Sequence, residues 1–114
     1  MEAGFPRCCR LLTKADFDRV FQRPKRLATP LFTVLYCSSH HELARLGVII
    51  SKKNVPRAVD RNRLRRRIRE TFRLTRLQLP GIDIVVIARS SVHKMDNTEL
   101  VSRLDELWQR LRHG

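Results

Sequence analysis

The sequence predicts an α+β fold, an α/β sandwich in which a few helices cover one small sheet. Three observations predict it. Apolar residues recur at helical spacing in some segments and at strand spacing in others, and the two kinds alternate along the chain. Ile82 to Ala88 is a near-continuous apolar run, the pattern of a strand buried on both faces. The 114 residues, 42% of them hydrophobic, suffice for one core and not for two, so residues 1–114 read as a single domain. The predicted order is helix, strand, strand, helix, strand, helix, with a further short strand near Leu27.

The first element is a short helix, about Thr13 to Gln22. Thr13 can cap it, and Asp16 lies in the first turn, where negative charge suits the dipole. Phe17, Val20 and Phe21 share one face at i, i+3 and i+4, and Pro24 ends the helix. Pro30 opens a strand in which Phe32, Val34 and Tyr36 point one way and Leu31, Thr33 and Leu35 the other. Ser38 to Glu42 reads as a polar loop and Leu46 to Ile50 as the next strand. The short gap predicts an antiparallel hairpin of these two.

Ser51 to Asn54 leave the sheet, and Pro56 suits the first turn of a helix with Asn54 or Val55 near its cap. That helix runs over about 56–76, and Pro80-Gly81 stops it. Asp96-Asn97-Thr98-Glu99 has the form of a capping box. It opens a last helix whose apolar stripe is Leu100, Leu104, Leu107, Trp108 and Leu111, with Trp108 in the core. Residues up to about 10 read as a short flexible segment.

Charge narrows the function. The chain carries 24 Lys and Arg against 11 Asp and Glu, a formal net charge of +13. Lys52 to Arg76 alone holds 11 basic and two acidic residues, so +9 of the +13 lies in one stretch of 25. Such a concentration favours a polyanionic partner and, through self-repulsion, a monomer in its absence. No run of 18 apolar residues suggests a membrane span, and the first ten residues lack the apolar region of a signal peptide. The odd count of cysteines (Cys8, Cys9, Cys37) suggests no disulfide framework, and the histidines are not at zinc-ligand spacing. These features predict a reduced, cytoplasmic protein without a metal of its own. Paired carboxylates and an activated histidine are missing, which argues against a self-sufficient nuclease.

On a helical wheel Leu64, Ile68 and Phe72 form the anchoring stripe, with Asn62, Arg65, Arg66, Arg69, Arg73 and Arg76 on an adjoining face. Arg63 and Arg67 lie further round, and Arg61 projects near the stripe at the N-terminal end. Arginine occurs seven times between Arg61 and Arg73 and lysine not at all, which suits bidentate contacts to phosphates. Like charges at i, i+4, such as Arg61 with Arg65 and Arg69 with Arg73, cost a few tenths of a kcal/mol each, so a helix that keeps them uses them. With no helix-turn-helix pair before it, this helix reads as an RNA clamp rather than a DNA recognition helix. Phe17, Phe21, Phe32 and Tyr36 have two readings. They line a shallow cleft as a stacking platform for single strands, or they are core, the commoner role of a Phe pair in a short helix.

From Ser51-Lys52-Lys53-Asn54-Val55 through Asp60-Arg61-Asn62-Arg63-Leu64-Arg65-Arg66-Arg67-Ile68-Arg69-Glu70 to Phe72-Arg73, the chain closely resembles the signature of the bacterial ribonuclease P protein component. The resemblance extends to Phe5-Pro6-Arg7, Arg10 to Thr13, Phe17 to Phe21, Leu79 to Arg89, and Asp96 to Trp108. It implies a protein that binds a large catalytic RNA. Together they form a ribonucleoprotein endonuclease that removes the 5′ leader of precursor tRNA, with Mg²⁺ held at the RNA's active site and no catalytic residue in the protein. By motif position, Lys52, Lys53, Arg61, Asn62, Arg63, Arg65, Arg66, Arg67 and Arg69 would face the RNA, with Arg73 on the same helix. The resemblance also implies a cleft for the single-stranded leader between the first helix and the sheet, where Phe17 and Phe21 match aromatic positions and Phe32 and Tyr36 are weaker candidates. It implies a left-handed crossover through the basic helix, against the general right-handed rule. Asp60 departs from the pattern, since a basic residue often stands there. A general RNA-binding or ribosomal accessory protein is the competing reading.

Overall fold

The computed structural model describes residues 10–11, 13–22, 24–38 and 43–113. The stretch Phe5-Pro6-Arg7, Cys8, Cys9, His40, His41 and most of the predicted loop lie outside the described residues. Seven main elements follow in order: α1 (Lys14–Gln22), β1 (Lys25–Ala28), β2 (Phe32–Ser38), β3 (Arg45–Ile49), α2 (Ala58–Thr75), β4 (Ile82–Ala88) and α3 (Asn97–His113). Short 3₁₀ turns follow α2 at Arg76–Gln78 and β4 at Ser90–Lys94. The α+β class and the order of elements are those predicted.

The strand pairing differs from the predicted one. The sheet runs β1-β2-β4-β3, so β2 and β3 are not a hairpin. Instead β4 lies between them, antiparallel to β2 and parallel to β3. The physical reason is the composition of β4. Six of its seven residues are buried, and only a central position covers such a strand along both edges and both faces. The connection from β2 to β3 has only to step across the end of β4, about 10 Å for two strand spacings. The parallel pair β3 and β4 is joined through α2, which puts the basic helix in the crossover.

Strand alternation sorts the sheet into two faces. Phe32, Val34, Leu46, Ile84 and Val86 point to the side covered by α2 and α3, in the larger core. Leu35, Cys37, Ile49, Val85 and Ile87 point to the other side, where α1 lies with Val20 fully buried beneath it. The molecule is therefore three layers: α1, the sheet, then α2 beside α3.

Local signals explain the helix ends. Thr13 and Asp16 cap α1 reciprocally: Thr13 Oγ1 accepts from the Asp16 N–H at 3.1 Å, and Asp16 Oδ2 accepts from the Thr13 N–H at 3.3 Å. Asp96 Oδ1 accepts from the Glu99 N–H at 2.8 Å to open α3. Pro56 does not occupy the first turn of α2; the helix starts two residues later, with Arg57 at its cap. Asn54 instead closes the preceding turn, donating its N–H to Ser51 Oγ at 3.1 Å and its side-chain amide to the Ala88 carbonyl at 2.9 Å. Between α2 and α3, Trp108 stacks edge-on against Phe72 at 5.4 Å and donates Nε1–H to Thr71 Oγ1 at 2.8 Å. Trp108 is core, as predicted.

Candidate nucleic-acid interface

The anchoring stripe of α2 is as predicted, with Leu64, Ile68 and Phe72 buried and Thr71 beside them. Burying that stripe fixes the rotation of the helix. It turns Asn62, Arg65, Arg66, Arg69 and Arg73 away from α3 along one exposed or half-buried arc. Neither acidic residue of α2, Asp60 or Glu70, falls on that arc. Arg10 approaches it from the side, because its segment pairs in parallel with Leu46 on the outer edge of β3. Burial, and then the charges of Arg10 and Arg65, hold the Arg69 guanidinium below its ordinary pKa. The fold thus crowds cations around Arg69, and a phosphate among them relieves that repulsion. Arg10 is a contributor that the motif did not mark.

Arginines of the motif also make contacts within the protein, and Arg65 on the arc donates Nη1–H to Asn62 Oδ1 at 3.5 Å. Arg61 donates Nη1–H to the carbonyls of Val55 at 3.0 Å and Pro56 at 2.8 Å, which braces the entry to α2. Arg63 reaches Asn97 Oδ1 at 3.2 Å, and Arg67 pairs with Glu70 at 2.9 Å, both on the α3 side. The Nε of Arg63 and of Arg67 is buried without a hydrogen-bond partner. Lys52 and Lys53 are exposed on the turn from β3 to α2, which Asn54 ties to the end of β4. This basic turn lies at the end of the sheet where β3 and β4 finish and leads into the N-terminus of α2.

On that opposite face the side chains form cross-strand rows: Cys37, Asp83 and Arg45, then Leu35, Val85 and Gly47, then Thr33, Ile87 and Ile49. Asp16 and Arg19 of α1 reach the first row. The wheel of α1 puts Phe17 and Phe21 on the other side of Val20. Phe21 is 42% exposed, and its ring centroid lies 6.4 Å from that of the half-buried Phe17. The last row, Thr33, Ile87 and Ile49, is half-buried and stays partly open. Phe17 packs against the same small core as Ile49 and Ile87, with Phe21 beside it, so this face carries partly open apolar side chains near the basic turn, the candidate leader cleft.

Phe32 and Tyr36 do not belong to that cleft. Phe32 is only 1% exposed in the core on the α2 and α3 side, and Tyr36 packs against the same core. Alternation sends the other residues of β2, Thr33 and Leu35, toward α1. The predicted grouping joined aromatics from opposite faces of one sheet.

Gly47 sets how closely α1 sits. A Cβ there would stand 2.6 Å from Phe17 Cε1 and 3.3 Å from Leu11 Cδ1. Because Phe17 is half-exposed, its ring yields outward before the strand does. Gly47→Ala is expected to cost about 1–3 kcal/mol, read by denaturant unfolding, and to displace Phe17 from the cleft.

Asp83 is the feature the residue reading missed. It is 0% exposed. Arg45 holds it with two bonds of 3.0 Å, from Nε to Oδ1 and from Nη2 to Oδ2, and Arg19 of α1 pairs with the same carboxylate. Its signal was present, since an acid inside a buried apolar run requires cationic partners. Among the described residues, no three His, Cys, Asp or Glu side chains come together as a metal set, and no helix is long and apolar enough to cross a membrane.

Known proteins share this arrangement. The family model for ribonuclease P matches residues 5–112. The chain belongs to the ribonuclease P protein family. It is 44% identical over 110 residues to the ribonuclease P protein component of Cronobacter sakazakii, spanning 96% of this chain and 92% of that one. The component from Histophilus somni matches to the same extent, 44% over 110 residues. Among solved structures, the RNase P protein of Staphylococcus aureus is similar with a TM-score of 0.82 at 32% identity, over 90% of this chain and 93% of that one. The RNase P protein of Thermotoga maritima gives 0.77 at 31% identity, over 92% of this chain and 96% of that one. Membership in the ribonuclease P family makes this chain a component of that endoribonuclease, with a role in maturing the 5′ end of tRNA.

Proposed function

We propose that α2 binds the catalytic RNA of ribonuclease P while the cleft beside α1 takes the unpaired 5′ leader of precursor tRNA. The observation that carries this reading is the continuity of the two surfaces. The arginine arc of α2 and the open row Thr33, Ile87 and Ile49 lie on opposite sides of the sheet, and the exposed Lys52-Lys53 turn runs from the end of β3 in that row to the start of α2. In this reading Asn62, Arg65, Arg66, Arg69 and Arg73 contact the catalytic RNA, with Lys52, Lys53 and Arg10 at the margins. Arg61, Arg63 and Arg67 mainly shape the helix and its seat. Phe17 and Phe21 receive leader bases, worth about 1–3 kcal/mol per stacked base.

In this reading the Mg²⁺ that supports phosphodiester hydrolysis is held by the RNA. The protein supplies cations that let two polyanions lie side by side. It acts as a cytoplasmic monomer that assembles when RNA neutralises its charge.

The test mixes purified protein, cognate catalytic RNA and precursor tRNA at low Mg²⁺. Leader removal by the mixture, with none by protein alone, is expected. A mixture no faster than the RNA alone points to a general RNA-binding protein, and cleavage by protein alone to a protein nuclease. Phe21→Ala is expected to weaken binding of precursor tRNA roughly tenfold, about one stacking contact, and to leave mature tRNA unchanged. Equal loss for both overturns the leader assignment.

A further inference from the structure

Asp83 takes no part in the RNA contacts proposed above, yet it lies where three elements meet. It stands near the start of β4, out of solvent, between Cys37 and Arg45 in the first row beneath α1. Arg45 grips both its oxygens, and Arg19 reaches it from α1. Arg45 also lies 3.6 Å from Asp16, one turn before Arg19 on the same side of α1. The helix therefore sits on two charged contacts along one side and on Val20 beneath. Phe17 and Phe21 overhang the other side.

Such a seat governs roll. A helix with its side chains has a radius of about 5 Å, so a roll of roughly 20° about its axis moves an aromatic ring by about 2 Å. Rolling α1 away from the first row separates Arg19 from a buried carboxylate, which is disfavoured because the buried charge loses a partner. We propose that Asp83, acting through Arg19 and Arg45, is the positioning residue of the leader cleft: it fixes the roll of α1 and so the spacing of Phe17 and Phe21 above Ile49 and Ile87. This rests on the leader reading of the cleft.

The proposal has a sign that simple electrostatics does not share. Asp83→Asn removes a negative charge from a protein that binds RNA. Electrostatics alone predicts tighter binding, whereas a lost seat for α1 predicts weaker binding of the leader. Asp83→Asn also leaves two arginines without their shared partner and can fail to fold. Arg19→Met is the second variant: it removes one of the two charged contacts of α1 and leaves the Arg45–Asp83 grip inside the sheet.

The test uses the full chain assembled with its catalytic RNA, and two substrates, precursor tRNA with a long leader and one trimmed to a single leader nucleotide. For both variants KM for the long-leader substrate is expected to rise about tenfold, the size of one base stack, with kcat and the trimmed substrate unchanged. Arg19→Lys is expected to restore most of the loss. In a background with Cys8 and Cys9 changed to serine, Cys37 beneath α1 is expected to react faster with a thiol reagent in Arg19→Met.

Unchanged KM for the long leader, or an equal change for both substrates, overturns the proposal. So does a fall of about one in the slope of log affinity against log salt for Arg19→Met, which marks Arg19 as a phosphate contact. Phe21→Ala run in parallel separates the two readings. If Phe21→Ala discriminates the leaders and Arg19→Met does not, only the positioning role falls. If neither discriminates, the leader reading falls with it.

Discussion

Alanine at both Arg65 and Arg69 is expected to weaken binding of the catalytic RNA about a hundredfold, at roughly 1.5 kcal/mol for each guanidinium–phosphate hydrogen bond removed. The two residues sit one turn apart on the arc of α2 that carries no acid, and both are half-buried, so little side-chain freedom remains to be frozen on binding. Arg69 also lies where burial and neighbouring cations disfavour its charge, which a phosphate offsets. The same substitutions should lower the slope of log affinity against log salt by about two, because each phosphate left without its arginine releases about one counterion fewer. Fluorescence anisotropy across a salt series measures both quantities. Alanine at Arg63 and Arg67, which are engaged with Asn97 and Glu70, should cost less affinity and change the slope less. A salt slope unchanged in the Arg65 and Arg69 variant would remove the arc from the interface.

Trp108→Ala is expected to have the largest effect on stability. The side chain is 1% exposed, meets Phe72 edge-on at 5.4 Å and donates to Thr71 Oγ1 at 2.8 Å. Loss of an indole from such a site costs about 3–5 kcal/mol, or roughly 12–20 °C in Tm for a chain of this size. Thermal unfolding followed by circular dichroism checks it. Trp108→Phe keeps most of the packing and removes the N–H donor, so a smaller loss is expected there. Thr71 continues to donate to the carbonyls of Arg67 and Ile68 at 3.1 Å, which limits the damage to α2. RNA affinity measured well below the variant's Tm should be nearly unchanged, since Trp108 lies on the side of α2 away from the arginine arc.

The helices were the most legible part of the fold. Their caps and stripes are local, and Thr13 with Asp16, Asp96 with Glu99, and Leu64 with Ile68 and Phe72 all perform as their spacing suggests. Pairing of the strands was less legible, because the six residues between β2 and β3 suit a hairpin while the apolar content of β4 requires a central place. Burial overruled proximity in sequence. The face of β2 turned toward α1 was also hidden, since Phe32, Val34 and Tyr36 are as apolar as their alternates and both faces of the sheet are covered. In the basic helix the motif marked a set of residues without dividing it. The division between Arg65 and Arg69 on one side and Arg63 and Arg67 on the other depends on where α3 lies. Asp83 finds Arg45 and Arg19 at separations of 38 and 64 residues, which no local pattern reveals.

The central position of β4 also sets an order of events during synthesis. Neither surface exists without it: Ile87 lies in the open row of the cleft, Val85 packs with Val20 of α1, Ile84 and Val86 lie in the core on the α2 side, and Asp83 pairs with Arg19 of α1. A ribosome that has completed β2, β3 and α2 has made most of the basic residues but only the β1–β2 pair of the sheet, because β2 and β3 share no hydrogen bonds. Pairings this distant along the chain close late. A nascent chain ending before Ala88 is therefore expected to be protease-sensitive and to bind RNA only through unstructured charge, with selectivity for the leader arising after β4 has emerged.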